Sequence, residues 1–189
     1  MNSTKSIYYP PGGILIWIII YLELITFGMA ILALAYYGSE ERELFHSSSL
    51  KLNKTIGTIN TILLLTSGFF VAKGVHFFKA ANIKKTLLYF YWAMIGGLGF
   101  LVLKSFEYYE KLEAGLHMDY NSFFRFYWLL TGFHFIHVLV GLVILLVITF
   151  SIKKKQTEAS FEDIEASASF WHMCDLIWLL LFPILYLLF

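Results

Sequence analysis

From Phe123 to Phe150 the chain reads FFRFYWLLTGFHFIHVLVGLVILLVITF. Arg125, near its start, is the one Lys, Arg, Asp or Glu in the run. A helix needs roughly 20 apolar residues to cross the hydrocarbon core of a bilayer. This run is longer, so it spans and tilts or protrudes. Four further runs qualify. They cover about residues 14–37, entered through Pro10-Pro11-Gly12-Gly13, then 56–78, 86–106 and 167–189. The reading is all-α: a polytopic membrane bundle of five transmembrane helices, one domain over residues 1–189. No internal repeat, soluble domain or low-complexity linker interrupts it.

Composition agrees. The 189 residues are 59% hydrophobic and 14% charged, against about 25% charged in soluble domains. A net charge of +1 gives no basic surface for nucleic acid. The single cysteine, Cys174, excludes an intrachain disulfide and a thiolate metal cluster. The polar start at Met1 to Pro11 and the long apolar run after it are not the pattern of a cleaved leader.

Lysine placement sets the expected orientation. Lys73, Lys79, Lys84 and Lys85 surround the second loop, and Lys153-Lys154-Lys155 opens the fourth. The positive-inside rule then puts the N-terminus and those loops in the cytoplasm. Five spans leave the C-terminus on the periplasmic side.

Polar residues inside the spans carry the functional signal, because each is costly at bilayer depth. Glu23 sits about 14 Å along the first helix at 1.5 Å per residue. It requires a proton or a donor. Its readings are a helix–helix hydrogen bond or a proton- or lipid-contacting acid. His134 and His137 are neighbours on one helical face, extended by Thr131 and Gly141. Interhelical hydrogen bonding is the default for such a face. A haem or di-iron site would need more histidines, on facing helices. His172 and Asp175 repeat the three-residue spacing. They read as a structural pair tying the last helix to a neighbour. No serine or cysteine is spaced to act as their nucleophile, so hydrolase chemistry is set aside. Lys104 and Glu107 read as an interfacial ion pair. Asn60-Thr61, Ser67-Gly68, Gly96-Gly97 and Gly99 read as packing surfaces, and Tyr36, Tyr37, Tyr108 and Tyr109 as interface belts.

The motifs occur in a telling order. YLELITFG around Glu23, NTILLLTSG at 60–68, KSFEYYE at 104–110, FFRFYWLLTGFHFIHVLVGL at 123–142 and EASASFWHMCDLIWLLLF at 165–182 resemble the subunit III family of the haem-copper oxidases. The resemblance runs along nearly the whole chain, in order. It implies the short, five-helix bacterial form, beginning at what resembles the family's third helix. It implies a bundle with no active site and no haem, copper or other metal of its own. Subunit I would hold the haem and copper, and subunit II and other respiratory subunits would adjoin. It further implies an inner-membrane complex of aerobic electron transport, and a role in assembly, stability and proton uptake of subunit I. Glu23 matches the family's carbodiimide-reactive acid and would face His137, beside His134. Phospholipid is the expected small ligand. The family's basic headgroup residue falls at Ser151, with Lys153 two residues on as the substitute. Two related readings share this signature: subunit III of a quinol oxidase and a protein associated with nitric oxide reductase. A small transporter is a distant third, since Pro183 is the only proline within a span.

Overall fold

The computed structural model describes residues 10–154 and 160–189. Among these are six helices: α1 (Ile14–Glu40), α2 (Arg42–Ser49), α3 (Lys54–Lys79), α4 (Ile83–Glu113), α5 (Ser122–Lys153) and α6 (Phe161–Tyr186). All but α2 are long and apolar enough to cross a membrane. Lys155 lies outside the described residues.

Polar side chains set the helix starts. Asn53 accepts from the backbone N–H of Thr55 and Ile56, Asn82 from Lys85, and Asn121 from Phe124. Such caps satisfy donors that a helix leaves open. Ser160 and Asp163 form a reciprocal capping box, which starts α6 before the hydrophobic run at Ser167. In the same way α4 continues past Phe106 to Glu113, through charged residues where hydropathy ends. The short α2 is polar apart from Leu44 and Phe45, and buries Phe45.

The spans alternate in direction. Lys79 pairs with Glu165 at 3.3 Å at one end of the bundle, where the α3–α4 connection and the start of α6 meet. At the other end the Asn121 amide donates to Ser48 Oγ at 2.9 Å, and Ser122 bonds Glu41. The α4–α5 connection and α2 share that second end.

Helix α6 is the hub. It packs on α1, α3 and α5 and buries Trp171, Ile177, Trp178, Leu181 and Leu185. Small residues let the neighbours close on it. A Cβ at Gly97 of α4 would lie 2.5 Å from Trp171 Cη2, and one at Gly141 of α5 2.9 Å from Trp171 Cε3. The indole therefore fills a notch cut by two glycines on two helices, the close approach that membrane helices rely on. Helices α3 and α4 are joined by Ser67 Oγ, which donates to the Ala93 carbonyl at 2.6 Å. Helix α1 is peripheral, burying Ile20, Phe27, Leu34 and Gly38 while Leu15, Leu22, Met29 and Leu32 face outward.

Gly97→Val should destabilise the purified protein by about 1–3 kcal/mol through overpacking against Trp171. Gly132→Ala meets open space and should stay within about 0.5 kcal/mol of the parent. Detergent-induced unfolding followed by circular dichroism checks both.

Candidate functional site

Three polar constellations lie within the spans. The first joins α1 to α5. Nε2 of His137 stands 3.2 Å from Oε2 of Glu23. The contact is at ion-pair distance without hydrogen-bond alignment, for that oxygen is buried with no aligned donor. Nδ1 of His137 is 2.8 Å from the Phe133 carbonyl, which can only accept. Nδ1 therefore carries a proton. A further proton at the Nε2–Oε2 contact would leave the pair uncharged. It would make either an imidazolium facing a carboxylate or a carboxylic acid facing a lone pair. Both forms are neutral as a pair, as apolar surroundings favour. Phe27 packs edge-on against His137 and His134, with centroids 5.7 and 6.4 Å away. His134 is wholly buried, stacked on Trp178 at 5.3 Å and edge-on to Phe100 at 5.7 Å. Neither of its ring nitrogens has a partner among the described residues, and the same holds for the buried amide of Asn60.

The second constellation is fully buried. Lys104 Nζ donates to Glu107 Oε2 at 3.0 Å, to Tyr186 OH at 2.7 Å and to Tyr127 OH at 3.2 Å. Both tyrosines donate to Glu107 Oε1, at 3.0 Å from Tyr127 and 2.6 Å from Tyr186. Trp178 and Tyr108 present ring faces to the ammonium at 5.3 and 5.1 Å. Lys104 and Glu107 have no exposed side-chain surface. The pair expected at an interface is thus sealed inside α4, α5 and α6. Two hydroxyls and the aromatic walls replace water, using all three ammonium N–H groups. Sequence reading missed Tyr127 and Tyr186. Tyr127 lies on the Thr131–His134 stripe, which was a usable signal. Tyr186 has the look of an interface-belt residue.

The third constellation is on α6. Nδ1 of His172 is 3.2 Å from Asp175 Oδ2. The bond stays within α6, and Asp175 touches α3 by seating its carboxylate where Gly68 has no side chain. His172 remains 45% exposed and Asp175 is buried. Lys153 stands exposed at the end of α5. Among the described residues no three His, Cys, Asp or Glu side chains gather as a metal site requires.

Residues 51–188 match the family model described as cytochrome c oxidase subunit III. The chain belongs to that family. It is 33% identical over 132 residues to cytochrome c oxidase subunit 3 of Rhipicephalus sanguineus, which covers 69% of this chain and 50% of that protein. It is 28% identical over 179 residues to cytochrome bo(3) ubiquinol oxidase subunit 3 of Buchnera aphidicola, 91% of this chain and 84% of that one. It is 29% identical over 179 residues to heme-copper oxidase subunit I+III of Aeropyrum pernix, 90% of this chain and 22% of that protein. The chain spans about half the length of the cytochrome c oxidase relatives it matches. The family match takes in the Lys104 cluster, His134, His137 and the His172–Asp175 pair, while Glu23 precedes it.

Lys104→Met should cost about 3–5 kcal/mol, because it leaves Glu107 buried without its counter-charge. Adding Glu107→Gln to that variant should recover part of the loss. Detergent unfolding of the single and double variants measures the difference.

Proposed function

We propose that this chain is the non-catalytic subunit III of a bacterial haem-copper terminal oxidase in the inner membrane. The observation that carries the reading is the family match over residues 51–188. The side-chain geometry fits a supporting subunit. Its buried ion pair and the Glu23–His137 contact are spent within the bundle. In this reading haem and copper reside in subunit I, with subunit II and further respiratory subunits alongside. Neighbourhood with subunit I is supported by the Aeropyrum pernix relative, whose name joins subunits I and III. The chain steadies subunit I during assembly and turnover and supports its proton uptake. Glu23 and His137 are the pair suited to that proton role, since both are titratable and their side chains meet at 3.2 Å within the bundle. His134 shares their face, in contact with the same Phe27.

Phospholipid is the proposed small ligand. A groove of about 390 Å³ lined by Ile16, Val143, Val147 and Phe170, with Asp163 and Ser167 also in its wall, is the candidate seat for an acyl chain. Lys153 ends the same helix and offers a cation to a phosphate headgroup. Cytochrome c is the proposed electron donor of the complex. Quinol is the second reading, favoured by similarity to the Buchnera aphidicola quinol oxidase subunit along 91% of this chain.

A strain lacking the chain tests the role. The purified oxidase core should keep its haem spectrum and initial rate, yet lose activity over repeated turnover or assemble in reduced yield. Glu23→Gln should lower the sustained rate while leaving the haem spectrum unchanged. Undiminished yield and sustained turnover without the chain would reject a supporting role.

A further inference from the structure

His172 has a feature that its bond to Asp175 leaves unexplained. It lies seven residues along α6 from Glu165, which pairs with Lys79 at the bundle end. That places it about 10 Å further into the span at 1.5 Å per residue. At that depth its side chain is still 45% exposed. Leu176 and Leu179 continue the same stripe, each 46% exposed. The remaining α6 positions from Trp171 to Trp178 are buried. The stripe is the one face of this hub helix that α1, α3 and α5 leave open. An imidazole on such a face is out of place against lipid chains, which offer no hydrogen bond.

The ring is held in place from behind. Nδ1 stands 3.2 Å from the Asp175 carboxylate, which is wedged against Gly68 of α3, and a carboxylate there accepts the Nδ1 proton in a hydrogen bond. With the Nδ1 proton pointing at Asp175, Nε2 presents a lone pair outward. The second oxygen of Asp175 is buried without a partner, so the carboxylate has no competing donor to turn it away from His172. A side chain oriented at this cost of packing space suits recognition better than lipid contact.

We propose that the His172–Leu176–Leu179 stripe docks a transmembrane helix of the catalytic subunit, which donates an O–H or N–H to His172 Nε2. The partner helix is apolar, with one serine, threonine, tyrosine or tryptophan at the level of His172. This rests on the reading of the chain as an oxidase subunit.

Asparagine and glutamine separate the two ring nitrogens. The amide of His172→Asn reaches the Nδ1 position and keeps the bond to Asp175. The amide of His172→Gln reaches the Nε2 position and keeps an outward polar group. Oxidase is purified through a tag on this chain, in membranes where each variant accumulates to the parental level. The haem-bearing subunit retained after detergent washing is then measured. Retention should fall by about threefold to tenfold for His172→Phe and His172→Asn, the span expected for one interhelical hydrogen bond. His172→Gln should retain it nearly as well as the parent. In a second measurement a benzoylphenylalanine at Leu176, in the otherwise unaltered chain, should photocrosslink to the catalytic subunit. Retention by His172→Asn with loss in His172→Gln would assign His172 to helix stability alone and overturn the proposal. Equal retention in all three variants, equal loss in all three, or crosslinking from Leu176 to lipid only, would overturn it as well. A parental chain that brings down no haem-bearing subunit would instead reject the oxidase reading, and this proposal with it.

Discussion

The Lys104 ammonium sits among three helices with no exposed surface, and the geometry of the bundle is bound to keeping it satisfied. An uncompensated charge in that position would cost several kcal/mol, so every one of its protons needs an acceptor. Glu107 supplies one from the next turn of α4. The others come from Tyr127 on α5 and Tyr186 on α6, each of which also bonds Glu107. These bonds span 2.6–3.2 Å. Sliding one helix by a single residue moves its side chains about 1.5 Å and breaks them. The cluster thereby fixes the register of α4, α5 and α6 in a setting where apolar contacts alone discriminate weakly between registers. Exchanging the charges for apolar groups of matched volume is often tolerated in proteins, so the cluster's worth lies in specifying one arrangement.

The rest of the packing is consistent with that arrangement. Trp178 lends a ring face to Lys104, stacks on His134 and donates to Thr61 Oγ1 at 2.9 Å. About two turns toward the opposite end, Trp171 occupies the notch left by Gly97 and Gly141. Helix α1 stands outside this interior and meets it through Phe27 and the Glu23–His137 contact. Its Glu23 is therefore more open to the surroundings than the Lys104 cluster. Glu23 keeps 24% of its side chain exposed, while Lys104 and Glu107 keep none. The fully enclosed ion pair thus belongs to the α4–α5–α6 cluster, and the partly exposed carboxyl sits at the margin.

Much of the fold was legible because five apolar runs leave few alternatives to spanning helices. Helix ends were less so. Hydropathy ends α4 at Phe106, yet Glu107, Glu110 and Lys111 continue it, Glu107 among buried partners and Glu110 in an exposed position. The capping box at Ser160 was present in the sequence as a serine three residues before an acid, outside the apolar run. The short α2 carries no periodic apolar stripe long enough to read. The i, i+3 spacing gave the Lys104–Glu107 and His172–Asp175 contacts, because such pairs are local to one helix. The Glu23–His137 contact crosses from α1 to α5 and was reached through family resemblance, since helix periodicity says nothing about which helices adjoin. The burial of Lys104 and the partnership of Tyr127 and Tyr186 lay beyond local spacing, for they depend on how three separate helices converge.

The most direct test of a bundle organised around Lys104 is a high-resolution structure of this chain purified with whatever subunits accompany it in the proposed oxidase. The account predicts the chain as a separate helical bundle beside the haem-bearing subunit. Lys104 and Glu107 should be enclosed by Tyr127 and Tyr186, with no haem or metal density ligated by its side chains. A haem or metal held by His134, His137 or His172, or a Lys104 side chain facing lipid or solvent, would contradict it.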